Sequence, residues 1–291
     1  MDFSSEGSDW MKRTVAGALV ALLFLAGLSL LAYPFVANVW NDHRQKQLMD
    51  SYQETVTERE TGGEIDYEAE WQRARVYNQG LLPTILPDSF AVAAAEKEPG
   101  REYMACLNLA GDGIMGSVEI PKIDVTLPVF HTTAKNILQQ GAGHLEGSSL
   151  PVGGEGTHAV ISAHRGLPSA ALFTDLDKLE EGDHFLLRVL DDTLCYEVDK
   201  ISVVDPEDTG NLAVEDTEDL VTLLTCTPYG VNTQRLLVRG HRVPYDPELV
   251  EMEKPGVLSG SLHTNYLFWL LFGLAVTAAL VFCLYRRERK R

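Results

Sequence analysis

Three side chains offer this sequence a reaction: a thiol, an imidazole and a guanidinium, each where an apolar run meets a turn. Cys226 closes the run 220–225 and is followed by Thr227-Pro228-Tyr229-Gly230, a turn signal. A thiol at the mouth of a strand is held rigidly on one side and open on the other, as a nucleophile must be; a buried structural cysteine is the competing reading. His164 holds the corresponding place after Ala159-Val160-Ile161-Ser162-Ala163, with Arg165-Gly166 turning behind it. With a reference pKa of about 6.5, an imidazole exchanges protons with a thiol or a leaving amine. Arg235 begins the strand after the turn, nine residues past Cys226. Because it stays protonated it is no base, but it can donate hydrogen bonds to a carbonyl becoming an oxyanion. Arg239, on the same strand face by the period of two, reads as a surface charge.

Those residues need a rigid frame. After Gly116 the chain is a series of short β-rich runs parted by turns: SVEIP, IDVTLPVF, THAVISA, HFLLRVL, CYEVDKISVV, LVTLLTC and RLLVRGHRV. Asp191-Asp192 lies between two of them as a hairpin turn does. Only two short helical candidates interrupt, near 133–140 and 169–176. Many short strands with few helices predict a closed or nearly closed β-barrel. Upstream, 42–80 is polar and helix-forming, broken at Gly62-Gly63, and reads as two helices making a stalk or clasp. In the second, Ile65, Trp71, Val76 and Leu81 can share part of a face. The stretch 82–102, with Pro83, Pro87, Pro99 and Gly100, reads as a long loop, a length usually functional or disordered.

Composition sets the surroundings. With 45% hydrophobic and 23% charged residues over 291 positions, the chain can build a real core, which excludes wholesale disorder. Of the net charge of −18, residues 1–39 carry −1 and 264–291 carry +4, leaving −21 in the middle. A domain that acidic repels a phosphate backbone, so nucleic acid is excluded as a partner. Residues 14–41 hold no charge and 266–285 form a second apolar run, each long enough for a hydrocarbon core of about 30 Å. A cleaved signal peptide is the other reading of the first run, but its apolar stretch exceeds the usual core of about 7–15 residues. Lys12-Arg13 before the first run and the basic tail 286–291 after the second put both termini in the cytoplasm and the acidic middle outside. Of four cysteines, Cys283 lies inside the second run. Cys106, Cys195 and Cys226 remain, an odd number that leaves at least one free thiol or an interchain pair. Cys106 and Cys195 could form a disulfide in this compartment; their spacing does not test it.

TLLTC at 222–226 with RLLV at 235–238, and HLEGSSLPVGGEGTHAVISAHRGLP at 144–168, resemble the sortases. The second string, IMGSVEIPKI at 114–123 and the two apolar runs resemble more narrowly the pilus-assembling class C sortases. The resemblance covers about 42–245 and then the C-terminal anchor. It implies a mainly β fold: an eight-stranded sortase-type barrel with N-terminal helices and two transmembrane helices. The implied layout is 1–13 cytoplasmic, 14–39 a transmembrane helix or uncleaved signal anchor, and 40–82 a helical stalk. A lid-like loop follows at 83–110, the catalytic barrel at 111–245, a linker at 246–263, a transmembrane helix at 264–285 and a basic cytoplasmic tail at 286–291.

The implied reaction is transpeptidation at the cell surface of a Gram-positive bacterium. The thiolate attacks the Thr–Gly bond of a Leu-Pro-x-Thr-Gly sorting signal, and an amine resolves the thioacyl enzyme. Carried over by position, Cys226 is the nucleophile, His164 the general acid/base and Arg235 the oxyanion and positioning group. Thr225 would help position the signal, and His144 could line the groove or cap a turn after Gly143. A thioester conserves acyl activation, so an amine replaces water where water is kept from the acyl carbon; no cofactor is needed. The lid of class C sortases carries Asp-Pro-aromatic, and the nearest match is Asp88-Ser89-Phe90, with Ser in place of Pro. His131, His144 and His158 fall in matched segments without metal-ligand spacing, so no metal site is expected. The expected partners are pilins and surface proteins bearing the signal, and a pilin acceptor lysine. A housekeeping enzyme anchoring surface proteins to cell-wall peptide is the alternative, with a non-catalytic tethered scaffold or thiol redox sensor behind it.

Overall fold

The computed structural model describes residues 3–81, 86–95, 98–254 and 271–277. It divides into two units, Met1–Val39 with Val257–Arg291, and Trp40–Gly256. Helix α1 (Phe3–Thr61) starts in the first. Its stretch from Leu22 is long and apolar enough to cross a membrane by length and composition, with Leu22, Leu25 and Leu30 exposed. Of the second apolar run, 271–277 are helical; the rest of that run and the basic tail lie outside the described residues.

In the second unit eight strands close into a barrel. They are β1 (Ile114–Ile120), β2 (Val125–His131), β3 (Ala142–His144), β4 (Thr157–Ser162), β5 (His184–Val189), β6 (Asp192–Val204), β7 (Asp219–Thr227) and β8 (Gln234–Val243). The order around the barrel is β1-β2-β3-β4-β7-β8-β6-β5, so no edge is left unpaired. The pairs β2·β3 and β4·β7 are parallel and the others antiparallel. Val118, Ile120, Ile161, Leu223 and Val238 belong to the main buried core, where apolar burial supplies most of the folding free energy. Phe185 and Tyr196 stack across β5 and β6 with ring centroids 5.6 Å apart. Gly240 makes room for them, since a Cβ there would stand 2.7 Å from the Phe185 ring.

The β5–β6 hairpin turns at Leu190-Asp191, one residue earlier than the sequence suggests: Val189 pairs with Asp192, and Leu190 takes φ 53°. Asp191 is drawn out of the strand because its carboxylate accepts from Trp71 Nε1 at 2.7 Å. That bond docks helix α2 (Tyr67–Gln79), capped by Asp66. Trp71 and Ala74 are its buried face, whereas Val76 turns to solvent. Asn78 exchanges two hydrogen bonds with the backbone of Leu150, and Tyr52 and Val56 of α1 bury against Leu109, Ile114 and Phe130.

The stretch that reads as a long loop contains two short helices, α3 (Ser89–Ala95) and α4 (Arg101–Ala105). Asp88 caps α3, its carboxylate accepting from Ala91 N and its carbonyl from Val92 N. Ser89 is thus the first helical residue, a position where a proline fits without losing a helical hydrogen bond. Helix α5 (Lys135–Leu138) follows β2, and α6 (Pro247–Glu253) packs Val250 against Leu186 and Cys195. Cys106, Cys195 and Cys226 are all free thiols.

Candidate active site

Cys226 and Arg235 are direct partners across the antiparallel pair β7·β8. β4 runs parallel to β7 on its other side, with Ser162 opposite Leu224. The pairing continues one residue further, as Ala163 N donates to Leu224 O at 3.2 Å, which brings His164 off the end of β4 beside the end of β7. Three neighbouring strands thus deliver thiol, imidazole and guanidinium to one end of the barrel. Arg239, four residues along β8 and opposite Thr222, is engaged with Asp199 and Glu215; it does not share that position.

The site is covered. Arg235 Nε donates to Asp88 Oδ1 at 2.6 Å and Nη2 to Asp88 Oδ2 at 2.9 Å, a bidentate charge-assisted pair. Nη1 donates to the carbonyls of Asn232 and Gln234. The Phe90 ring fills the space between the other two partners, 5.3 Å from the His164 ring and 5.2 Å from the guanidinium carbon of Arg235. Cys226 is 7% and Arg235 9% exposed. Among the described residues no hydrogen bond joins the thiol to the imidazole.

The electrostatics follow from this enclosure. Burial pushes the Cys226 thiol above its ordinary pKa; Arg235 pulls it back and the Asp88 carboxylate pushes it up again. Burial likewise lowers His164. Both shifts favour neutral thiol and neutral imidazole while the cover is in place.

Several neighbours hold this geometry. Arg165 donates to Thr174 O at 3.1 Å and Thr227 Oγ1 at 3.2 Å and pairs with Asp177. It thereby ties the turn behind His164 to the end of the nucleophile strand. Gly166, at φ 76°, lies under the Tyr229 ring, which a Cβ would approach to 3.1 Å. Ser89 is buried completely: its carbonyl accepts from Thr133 Oγ1 at 2.9 Å and its hydroxyl from Ser162 Oγ at 2.8 Å.

Thr225 and His144, expected as substrate contacts, are committed to hydrogen bonds in the interior. Thr225 is fully buried and donates its hydroxyl to Ala163 O at 2.8 Å; successive strand side chains face opposite ways, so it ties β7 to β4. His144 has no exposed surface, and its ring nitrogens meet Tyr103 OH at 2.9 Å and Ser149 O at 2.8 Å. It organises the interior beneath α4. His131 and His158 are equally committed, to the carbonyls of Gly113 and Cys106, and to Ala213 O and Thr222 Oγ1. Cys106 meets His131 only through its carbonyl, while its thiol turns to Glu102 O, so these two make no nucleophile–base pair.

The barrel is that of a sortase: residues 118–243 match the sortase domain family, and the chain belongs to that family of cysteine transpeptidases. Among solved structures it is similar to Sortase C of Streptococcus pneumoniae, described for its catalysis and pilin substrate specificity. That likeness is 43% identity and a TM-score of 0.58 over 68% of this chain and 97% of that one. A lid mutant of Sortase A from Corynebacterium diphtheriae is 44% identical, with a TM-score of 0.56 over 62% and 96%. Sortase D of Bacillus subtilis (strain 168) is 32% identical over 131 residues, 44% of this chain and 63% of that protein.

Proposed function

We propose that this chain is a cell-surface transpeptidase that cleaves an LPxTG-type sorting signal between Thr and Gly and joins the threonine to a pilin lysine, polymerising pilus subunits. The observation that carries the reading is the pairing of Cys226 with Arg235 beside His164 on the next strand. The likeness to a sortase described for pilin substrate specificity supports the pilin as substrate.

In this mechanism the Cys226 thiol passes its proton to His164 as the sulfur adds to the threonine carbonyl, and the guanidinium of Arg235, released from Asp88, donates to the oxygen as it gains charge. The carbon–nitrogen bond to glycine breaks as His164 delivers a proton to the departing amine. The thioester is then attacked by the lysine amine, whose proton goes to His164; carbon–sulfur cleavage releases the sulfur, which takes that proton back from His164 to regenerate the thiol, while an isopeptide bond forms. Asp88 and Phe90 act as the lid, since they occupy the donors and the space that a substrate carbonyl requires. We place the acidic barrel outside the membrane of a Gram-positive cell and both termini inside, on the basic residues flanking the two apolar runs.

The test is the full chain in detergent micelles with a pilin bearing both the signal and its acceptor lysine. Covalent pilin ladders that vanish with Cys226→Ala are expected. Release of cleaved pilin to water or small amines alone would favour wall anchoring, and no cleavage would favour a scaffold.

A further inference from the structure

Ser89 is the point at which this lid departs from Asp-Pro-aromatic, and its surroundings are unlike those of a surface loop residue. It starts α3 directly after its cap, has no exposed surface, and sits on two hydroxyl groups of the barrel. Ser162 is the last residue of β4, two before His164, and is fully buried; Thr133, just past β2, is 1% exposed. Both hydroxyls donate to Ser89, one to its side chain and one to its carbonyl. Neither makes another hydrogen bond among the described residues.

We propose that Ser89 and Ser162 form a hydroxyl latch that holds the lid closed independently of the Asp88–Arg235 ion pair. The inference rests on reading Asp88 to Phe90 as a lid. A proline at this position would restrain φ and suit the helix start equally well, but it could not bond Ser162. The serine gives up that restraint and gains a directional contact to the strand that presents His164. The latch is buried, so its energetics are asymmetric: removing one hydroxyl orphans the other, whereas removing both orphans none. The ion pair holds the β8 side of the lid and the latch holds the β4 side.

The test is the labelling rate of Cys226 by a small thiol reagent in the full chain in detergent micelles, read by mass on the peptide containing Cys226. Ser89→Ala and Ser162→Ala are each expected to raise the rate about fivefold to tenfold, and the double variant to raise it less than the stronger single. Asp88→Ala is expected to raise it as well, and Ser89→Ala to raise it further when added to Asp88→Ala. Faster labelling with Asp88→Ala but wild-type rates with both serine variants would overturn the latch and leave the lid intact. Serine effects that multiply in the double variant would also overturn it, since uncoupled residues form no latch. Wild-type rates in all the variants would overturn the lid itself.

Discussion

Arg235 and Asp88 face each other through two parallel hydrogen bonds of 2.6 and 2.9 Å, one residue on the barrel and the other at the cap of helix α3. The guanidinium stands opposite Cys226, so the pair that closes the lid also occupies the group assigned to the oxyanion. In the proposed mechanism, closing the lid therefore also withholds the oxyanion donor. Replacing Asp88 by Ala is expected to raise Cys226 labelling by an order of magnitude or more, because a buried charge pair is broken. Phe90→Ala should give a smaller rise, since it removes only the ring between His164 and Arg235. Arg239→Ala should leave the rate unchanged, its charge being engaged with Asp199 and Glu215.

The same opening has a pH signature. Burial and the Asp88 carboxylate both raise the Cys226 pKa, and Arg235 lowers it. Removing Asp88 takes away one raising influence directly and part of the other by admitting water, and keeps the lowering one. The labelling-versus-pH curve of Asp88→Ala should therefore move to lower pH than that of the wild type. A curve of unchanged midpoint and greater height would mean that only access had changed.

Stability should also depend on pH. Burial lowers His131 and His158, and brings His144 down to about 4. The unfolded imidazole titrates at about 6.5. Between these values the unfolded chain binds a proton that the folded chain refuses, so stability rises with pH. It is complete above the unfolded value and is lost as pH falls toward 4, on the order of 3 kcal/mol for His144 alone. Thermal melts at pH 7.5 and 5 should show the loss, and His144→Gln should make the melting temperature less sensitive to pH.

Gly166 offers a test of how the turn behind His164 is built. Gly166→Ala meets the Tyr229 ring and occupies a left-handed backbone, costing about 1–3 kcal/mol. Adding Tyr229→Ala should recover the steric part of the loss but not the backbone part, as thermal unfolding would show.

How much of this was readable beforehand differs from residue to residue. The barrel was legible because its strands are short apolar runs bounded by turns, and Cys226, His164 and Arg235 stood out because each sits where such a run meets a turn. The inward commitment of Thr225 was available from the alternation of strand side chains, which sets it opposite Cys226. Helix α3 was hidden because Pro83, Pro87 and Pro99 dominate the stretch around an alanine-rich turn capped by Asp88. The hydroxyl contacts of Ser89 were not legible at all, since Thr133 and Ser162 lie 44 and 73 positions away. For His144 the sequence leaves a groove and a turn cap both open, because its partner Tyr103, on a helix of five residues, cannot be placed from it.

The central claim is that Cys226 acts as the acylating nucleophile, and intact-mass measurement tests it most directly. The full chain in detergent micelles, with the lid loosened by Asp88→Ala, would be mixed with a Leu-Pro-x-Thr-Gly peptide and quenched in acid. A mass increase equal to the peptide up to its threonine, mapped to Cys226, sensitive to hydroxylamine and absent in Cys226→Ala, is the predicted result. An adduct on another residue, or none although a thiol reagent reaches Cys226, would contradict it.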